Sequence, residues 1–173
     1  MTFIDEKKDN LCKEIQHILS ERHQTLSTAE SCTGGRIASA ITAIAGSSAY
    51  FQGSIVAYQN EVKTQLLHVN PQTIEEHDVV SREVVSEMVR GACQLFGTDY
   101  AIATSGYAGP GGGSDKVAQG TIWIAFGSPD HIETMCRTED NGRLENVELA
   151  TLSALTGFCS YLKNLSTFHL EHP

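Results

Sequence analysis

Apolar side chains recur at helical spacing near the start of the chain and at strand spacing soon after. Leu11, Ile15, Ile18 and Leu19 share one helical face, which predicts an amphipathic helix over residues 6–22. A short β-type run follows at 25–28, and a second helical pattern runs from about Gly34 to Ala45 before Gly46, Ser47 and Ser48 break it. Residues 50–58 read as a strand with Gly53 inside it, a place for a bulge. Asn60 is placed to cap a short helix carrying Val62, Leu66 and Leu67, and Pro71 starts another turn. Ser81 caps a longer helix whose apolar face holds Val84, Val85, Met88, Val89, Ala92, Leu95 and Phe96, and Gly97 ends it. Residues 99–105 form a buried strand that opens into a glycine-rich loop from Gly106 to Gly120. Residues 121–127 and 132–138 make a hairpin around Ser128, Pro129 and Asp130. A last helix from about Leu144 carries Val147, Ala150, Ala154, Leu155, Phe158 and Leu162, and the tail after Ser166 is expected to be loose. Helices alternate with strands early and a hairpin comes late, which predicts a three-layer α/β/α sandwich with a mixed sheet. No repeat, low-complexity tract or linker divides residues 1–173, so one domain is expected.

Composition narrows the partners. Twelve basic and 21 acidic side chains give a formal charge of −9, which argues against broad binding to nucleic acid or to an anionic membrane. The five cysteines are widely spaced with no CxxC, so neither a zinc site nor a disulfide framework is expected. No stretch approaches the roughly 20 apolar residues of a membrane span, and the polar first residues do not resemble a signal peptide. A cytoplasmic setting is therefore expected. The seven histidines show no HxH, HxxxH or HExxH spacing, and Glu75, Glu76, His77 and Asp78 read as a solvated turn, so no metal is expected.

Three segments carry candidate chemistry. Ala29-Glu-Ser-Cys-Thr-Gly-Gly35 places Ser31 at a tight strand-to-helix turn, near helix-start N–H groups that can stabilise an anion. Tyr58-Gln-Asn-Glu-Val-Lys63 sits where a strand gives way to a helix. In open α/β sheets ligands gather beyond the carboxyl ends of strands, so Ser31, Tyr58 and Lys63 can share one cleft. Lys63 can then act as base toward Ser31, provided that burial lowers its pKa. By residue type alone each has a plainer reading: Ser31 as a helix cap, Lys63 as a solvated lysine, Tyr58 as strand-end packing. Cys32 is a rival nucleophile, or a buried inert thiol. The third segment, Ser105 to Gly113, lets backbone N–H groups approach a ligand, but it is neither a P-loop nor a dinucleotide fingerprint.

Taken in order, these segments resemble the C-terminal domain family of competence-damage-inducible protein CinA, whose stand-alone members of known activity are nicotinamide-nucleotide amidases. The resemblance covers residues 8–163. It rests on Ala29 to Gly35, Tyr58-x-Asn60-x-x-Lys63, Ser81 to Ala92, and Ser105 to Gly113 leading into Gly120-Thr121-Ile122-Trp123. It implies an amidohydrolase that converts nicotinamide mononucleotide to nicotinic acid mononucleotide and ammonia. Ser31 would be the nucleophile, Lys63 its base and Tyr58 an assisting hydroxyl. Thr33 and Gly34, with Ser105 and Gly106 opposite, would bind the oxyanion or the substrate. No metal or organic cofactor is implied. Arg36, Lys116 and Arg143 are the basic side chains placed to meet an anionic small-molecule substrate.

The chain also departs from the family pattern. Ser105 and Tyr107 stand where the family has threonine and isoleucine, and the Tyr107 ring is expected to narrow the cleft. Lys116 lies one place before the family's lysine. Val147 occupies the place of a second arginine beyond Arg143. These changes predict acyl-transfer machinery with weakened or altered nucleotide recognition. Alternatives stay open: a binding module without turnover, an amidase for another amide, or a redox sensor built on Cys32. The apolar helix faces are compatible with a homo-oligomer.

Overall fold

The computed structural model describes residues 2–171, with side chains as far as Leu165. Its elements run α1 (Phe3–Arg22), β1 (Leu26–Glu30), α2 (Arg36–Thr42), β2 (Phe51–Val56), α3 (Asn60–Leu66), α4 (Pro71–His77), α5 (Arg82–Phe96), β3 (Tyr100–Gly106), β4 (Ile122–Ser128), β5 (His131–Arg137) and α6 (Arg143–Glu171). The five strands form one mixed sheet in the order β2-β1-β3-β4-β5. β1 pairs parallel with both β2 and β3, and β4 and β5 continue antiparallel. The expected three-layer α/β/α arrangement is the one observed.

Alternation along the strands decides the two faces. On β3, Tyr100 and Ile102 join a core with α1, α2 and α6, built on Leu19, Ile37, Ile41, Leu155 and Phe158. Ala101 and Ala103 face the other way, where Val84, Val85, Met88 and Val89 of α5 cover them. Small side chains on this face let α5 lie close to the sheet. The helix is set by its caps: Ser81 Oγ accepts from the Val84 N–H, and Gly97 closes it in the left-handed region.

Several local expectations shift. The register between β1 and β2 skips Gln52, so the bulge falls beside Gly53. Gln59 stands at the N-cap of α3 in place of Asn60, with no side-chain bond. α2 ends at Thr42, ahead of a 3₁₀ turn at Ser47–Ala49. α6 continues to Glu171, past the loose tail expected after Ser166, and residues 172 and 173 lie outside the described part. Among the described residues no helix is long and apolar enough to cross a membrane.

The topology positions the site. From β1 the chain moves to β2 on one side and then, through α3, α4 and α5, to β3 on the other. The carboxyl ends of three parallel strands therefore meet at one edge, with β1 in the middle. Strand order reverses here, which leaves a crevice.

Candidate active site

Ser31 is the first residue beyond β1 and is buried. Its backbone N–H extends the ladder by donating to Thr104 O at 3.0 Å. The turn that follows is fixed by a buried carboxylate the sequence reading passed over. Glu30 Oε1 accepts from the Ile37 N–H (3.0 Å) and from Thr33 Oγ1 (2.7 Å), and Oε2 accepts from the Ala38 N–H (3.0 Å). Gly35, the N-cap of α2, offers no side chain, so Glu30 satisfies the helix start from the strand below. A carboxylate closing an otherwise uncharged strand, just ahead of a glycine pair and a helix, was the available signal.

This corrects the expected roles of Thr33 and Gly34. The Thr33 hydroxyl is buried between Glu30 and Thr104 Oγ1, at 2.7 and 2.8 Å. The Gly34 N–H is spent on Ser31 O at 3.1 Å. Neither lines the cleft beside Ser31. The N–H groups that remain lie elsewhere. Thr104 O faces β1 while Tyr107 N donates across to Thr121 O on the β4 side. Peptide groups alternate sides along a strand, so the Gly106 N–H faces the Ser31 side, beyond the point where β1 ends. A side chain at Gly106 is excluded, because a Cβ there would lie 2.5 Å from Ile122 Cγ1. The Cys32 N–H, in the turn itself, donates to no backbone carbonyl among the described residues.

Lys63 comes from the second turn of α3 and is 1% exposed. Its Nζ lies 2.7 Å from Ala57 O, 3.3 Å from Tyr58 O and 3.2 Å from Ser31 Oγ. Among the described residues no carboxylate pairs with it. Burial without a counter-charge disfavours the ammonium and brings its pKa down from 10.5 to about 8. The neutral amine can donate to the two carbonyls and turn its lone pair to the Ser31 hydroxyl. The neighbouring Cys32 thiol is buried and pushed up to about 12, the reverse of a reactive cysteine.

The other predicted residues divide. Tyr58 lines the cleft, but its hydroxyl accepts from Arg143 Nη2 at 2.9 Å and bonds neither Ser31 nor Lys63. The expected assisting hydroxyl is therefore turned to Arg143, whose charged donor outcompetes an amine already held by carbonyls. Arg143 Nη1 donates to Gly109 O at 2.9 Å, so its guanidinium links the loop after β2 to the glycine loop. Ser105 lines the cleft and donates to Val79 O at 2.9 Å, leaving oxygen lone pairs open. Arg36 lies in a different groove, 3.5 Å from Glu148, and does not line the cleft. Lys116 is also turned away, onto Glu75 O (2.9 Å) and Glu76 O (3.0 Å) at the end of α4. Val147 is part of the core. Ser31, Lys63, Tyr58, Ser105, Gly106 and Arg143 thus meet at one cleft of about 450 Å³.

Comparison with known proteins gives a consistent picture. The family described as CinA C-terminal domain matches residues 8–162. A CinA-like protein of Parasynechococcus marenigrum is 44% identical over 149 residues, which are 85% of this chain and 36% of that protein. The chain therefore spans little more than a third of that relative's length. Nicotinamide-nucleotide amidohydrolase PncC of Escherichia coli is 46% identical over 122 residues, 70% of this chain and 74% of that protein. The crystal structure of competence damage-inducible protein A (ComA) from Klebsiella pneumoniae superposes with a TM-score of 0.86 at 36% identity, covering 90% of this chain and 97% of that one.

Proposed function

The chain belongs to the CinA C-terminal domain family, and from that premise we propose that it is a serine amidase that converts nicotinamide mononucleotide to nicotinic acid mononucleotide and ammonia. One contact carries the reading: a buried Lys63 amine, its pKa lowered to about 8, lies 3.2 Å from Ser31 Oγ. The similarity to PncC supplies the substrate.

Ser31 Oγ attacks the carboxamide carbon while its proton passes to the neutral Lys63 amine. Negative charge develops on the carbonyl oxygen, and the Cys32 and Gly106 N–H groups are the donors we assign to stabilise it. The C–N bond breaks, and the Lys63 ammonium returns the proton to the departing nitrogen, which leaves as ammonia. Water then gives a proton to Lys63 and attacks the Ser31 ester. On collapse Lys63 returns its proton to Ser31 Oγ, restoring the hydroxyl, and the acid released gives its own proton to solvent and leaves as the carboxylate. Arg143, oriented by Tyr58 and Gly109, meets the anionic part of the nucleotide. It has no carboxylate partner among the described residues.

One observation favours a second substrate. With Lys116 on the α4 carbonyls and Val147 in the core, fewer cations reach the cleft than a phosphate normally attracts. An ammonia-release assay over a panel of small amides tests both readings. Release from the mononucleotide at micromolar KM supports the first. Release only from uncharged amides transfers the function to the second, and no release from any amide overturns the amidase reading.

A further inference from the structure

Beside Ser31 the cleft holds a residue that the mechanism above does not use. Tyr107 lines it from the first turn of the glycine loop, next to Gly106. Its hydroxyl donates to Asp78 Oδ1 at 3.1 Å, and Asp78 Oδ2 also accepts from Ser114 Oγ. Burial and the Asp78 charge both push the Tyr107 pKa up, so the phenol keeps its proton. The Gly112 backbone lies against the ring, with a Cβ built there 3.5 Å from Tyr107 Cδ1. The hydroxyl is anchored and the ring borders Gly112, within the cleft that Ser31 also lines. Tyr58 lines the same cleft from the opposite loop, beyond β2, with its own hydroxyl held by Arg143. β1, which carries Ser31, lies between β2 and β3 in the sheet. The two tyrosines follow the strands on either side of β1, and both line the cleft that holds Ser31.

We propose that Tyr107 is a specificity residue: its anchored ring, in the same cleft as Ser31, receives the flat aromatic ring of the substrate and presents the attached carboxamide to Ser31. The substrate class is then an aromatic amide, and aliphatic amides of similar size are poorly held. This rests on the amidase reading for its chemistry, but ring binding is measurable without turnover. Stacking on an immobilised ring costs little conformational entropy, since neither partner loses rotamers.

The test is calorimetric titration of nicotinamide mononucleotide into Ser31→Ala protein, alone and combined with Tyr107→Phe or Tyr107→Ile. Isoleucine is apolar and smaller than tyrosine, so it enters the same space without overpacking. Phenylalanine keeps the ring and loses the Asp78 anchor. Isoleucine loses both. Ring stacking predicts that Tyr107→Phe stays within about threefold of its parent and Tyr107→Ile weakens binding about tenfold. Equal weakening by both variants would mean that Tyr107 only ties down the loop, and overturns the proposal. Unchanged affinity in Tyr107→Ile, or no binding by the parent, also overturns it. Wild-type ammonia release is measured in parallel. A protein that binds as described but releases no ammonia refutes the amidase reading and leaves the aromatic subsite standing.

Discussion

Lys63 is a buried cation without an anion, an arrangement that folding alone disfavours. Transfer of an ammonium out of water costs several kcal/mol unless it is paired or neutralised. Its partners here are two backbone carbonyls and a serine hydroxyl, which accommodate the neutral amine as well as the charged one. The sign of the pH dependence follows. With its pKa lowered to about 8, Lys63 gains the neutral amine that the proposed base role needs as pH rises through that value. Accordingly, kcat/KM is expected to climb about tenfold per unit below pH 8 and level off above it, and Lys63→Met abolishes the climb together with activity. A flat profile between pH 6 and about 8 in stopped ammonia assays would remove Lys63 from the base role. The spacing of Ser31 and Lys63 showed in the sequence because strand ends announce themselves. The direction of the Tyr58 hydroxyl did not, because it depends on Arg143, 85 positions away.

At the scale of elements, two packing relations hold the pair together. Glu30 ties the end of β1 to the start of α2 through two backbone N–H bonds and one hydroxyl. Glu30→Ala leaves those donors buried and unpaired. It is expected to cost about 2–3 kcal/mol in urea unfolding and to lower kcat, because the Ser31 turn loosens. The second relation is the crossing of α5 over the end of α3. A Cβ at Gly91 would lie 2.0 Å from Leu67 O, and the N–H groups of Leu67 and Val69 both close on Lys63 O. Gly91→Ala must push α3 outward and carry Lys63 with it. A loss of about 1–3 kcal/mol by thermal unfolding, with kcat falling more than KM rises, is the expected result. α1 and α5 were legible from periodicity, because each buries one apolar face, and β3 from its short uncharged run, which is buried on both faces. The start of α2 was misjudged for a physical reason. Its free N–H groups looked available to a ligand, and a buried strand carboxylate had already taken them. Arg36 and Lys116 were misplaced likewise, since sequence position next to a glycine turn does not fix where a long side chain finds its partner.

For the whole molecule, the sheet order places Ser31 and Lys63 where three parallel strands end, with β1 the middle one of the three. The parts that must accept a substrate are loops attached to that frame. Amides of β1 and β3 are therefore expected to exchange hydrogen slowest, and those of residues 109–118 fastest. The mononucleotide is expected to slow exchange in that loop and around residues 57–63, leaving α1 unchanged. Protection appearing only near Arg36 and Glu148 would assign binding to the other groove. The formal charge of −9 adds a long-range repulsion for an anionic substrate. The cleft counters it with one arginine held by neutral partners.

The most direct measurement of the central claim is ammonia release from nicotinamide mononucleotide by the wild type and by Ser31→Ala, with nicotinic acid mononucleotide quantified in the same samples. The account predicts equal amounts of the two products from the wild type and a loss of at least about a thousandfold in Ser31→Ala. Comparable turnover by the two proteins would contradict it.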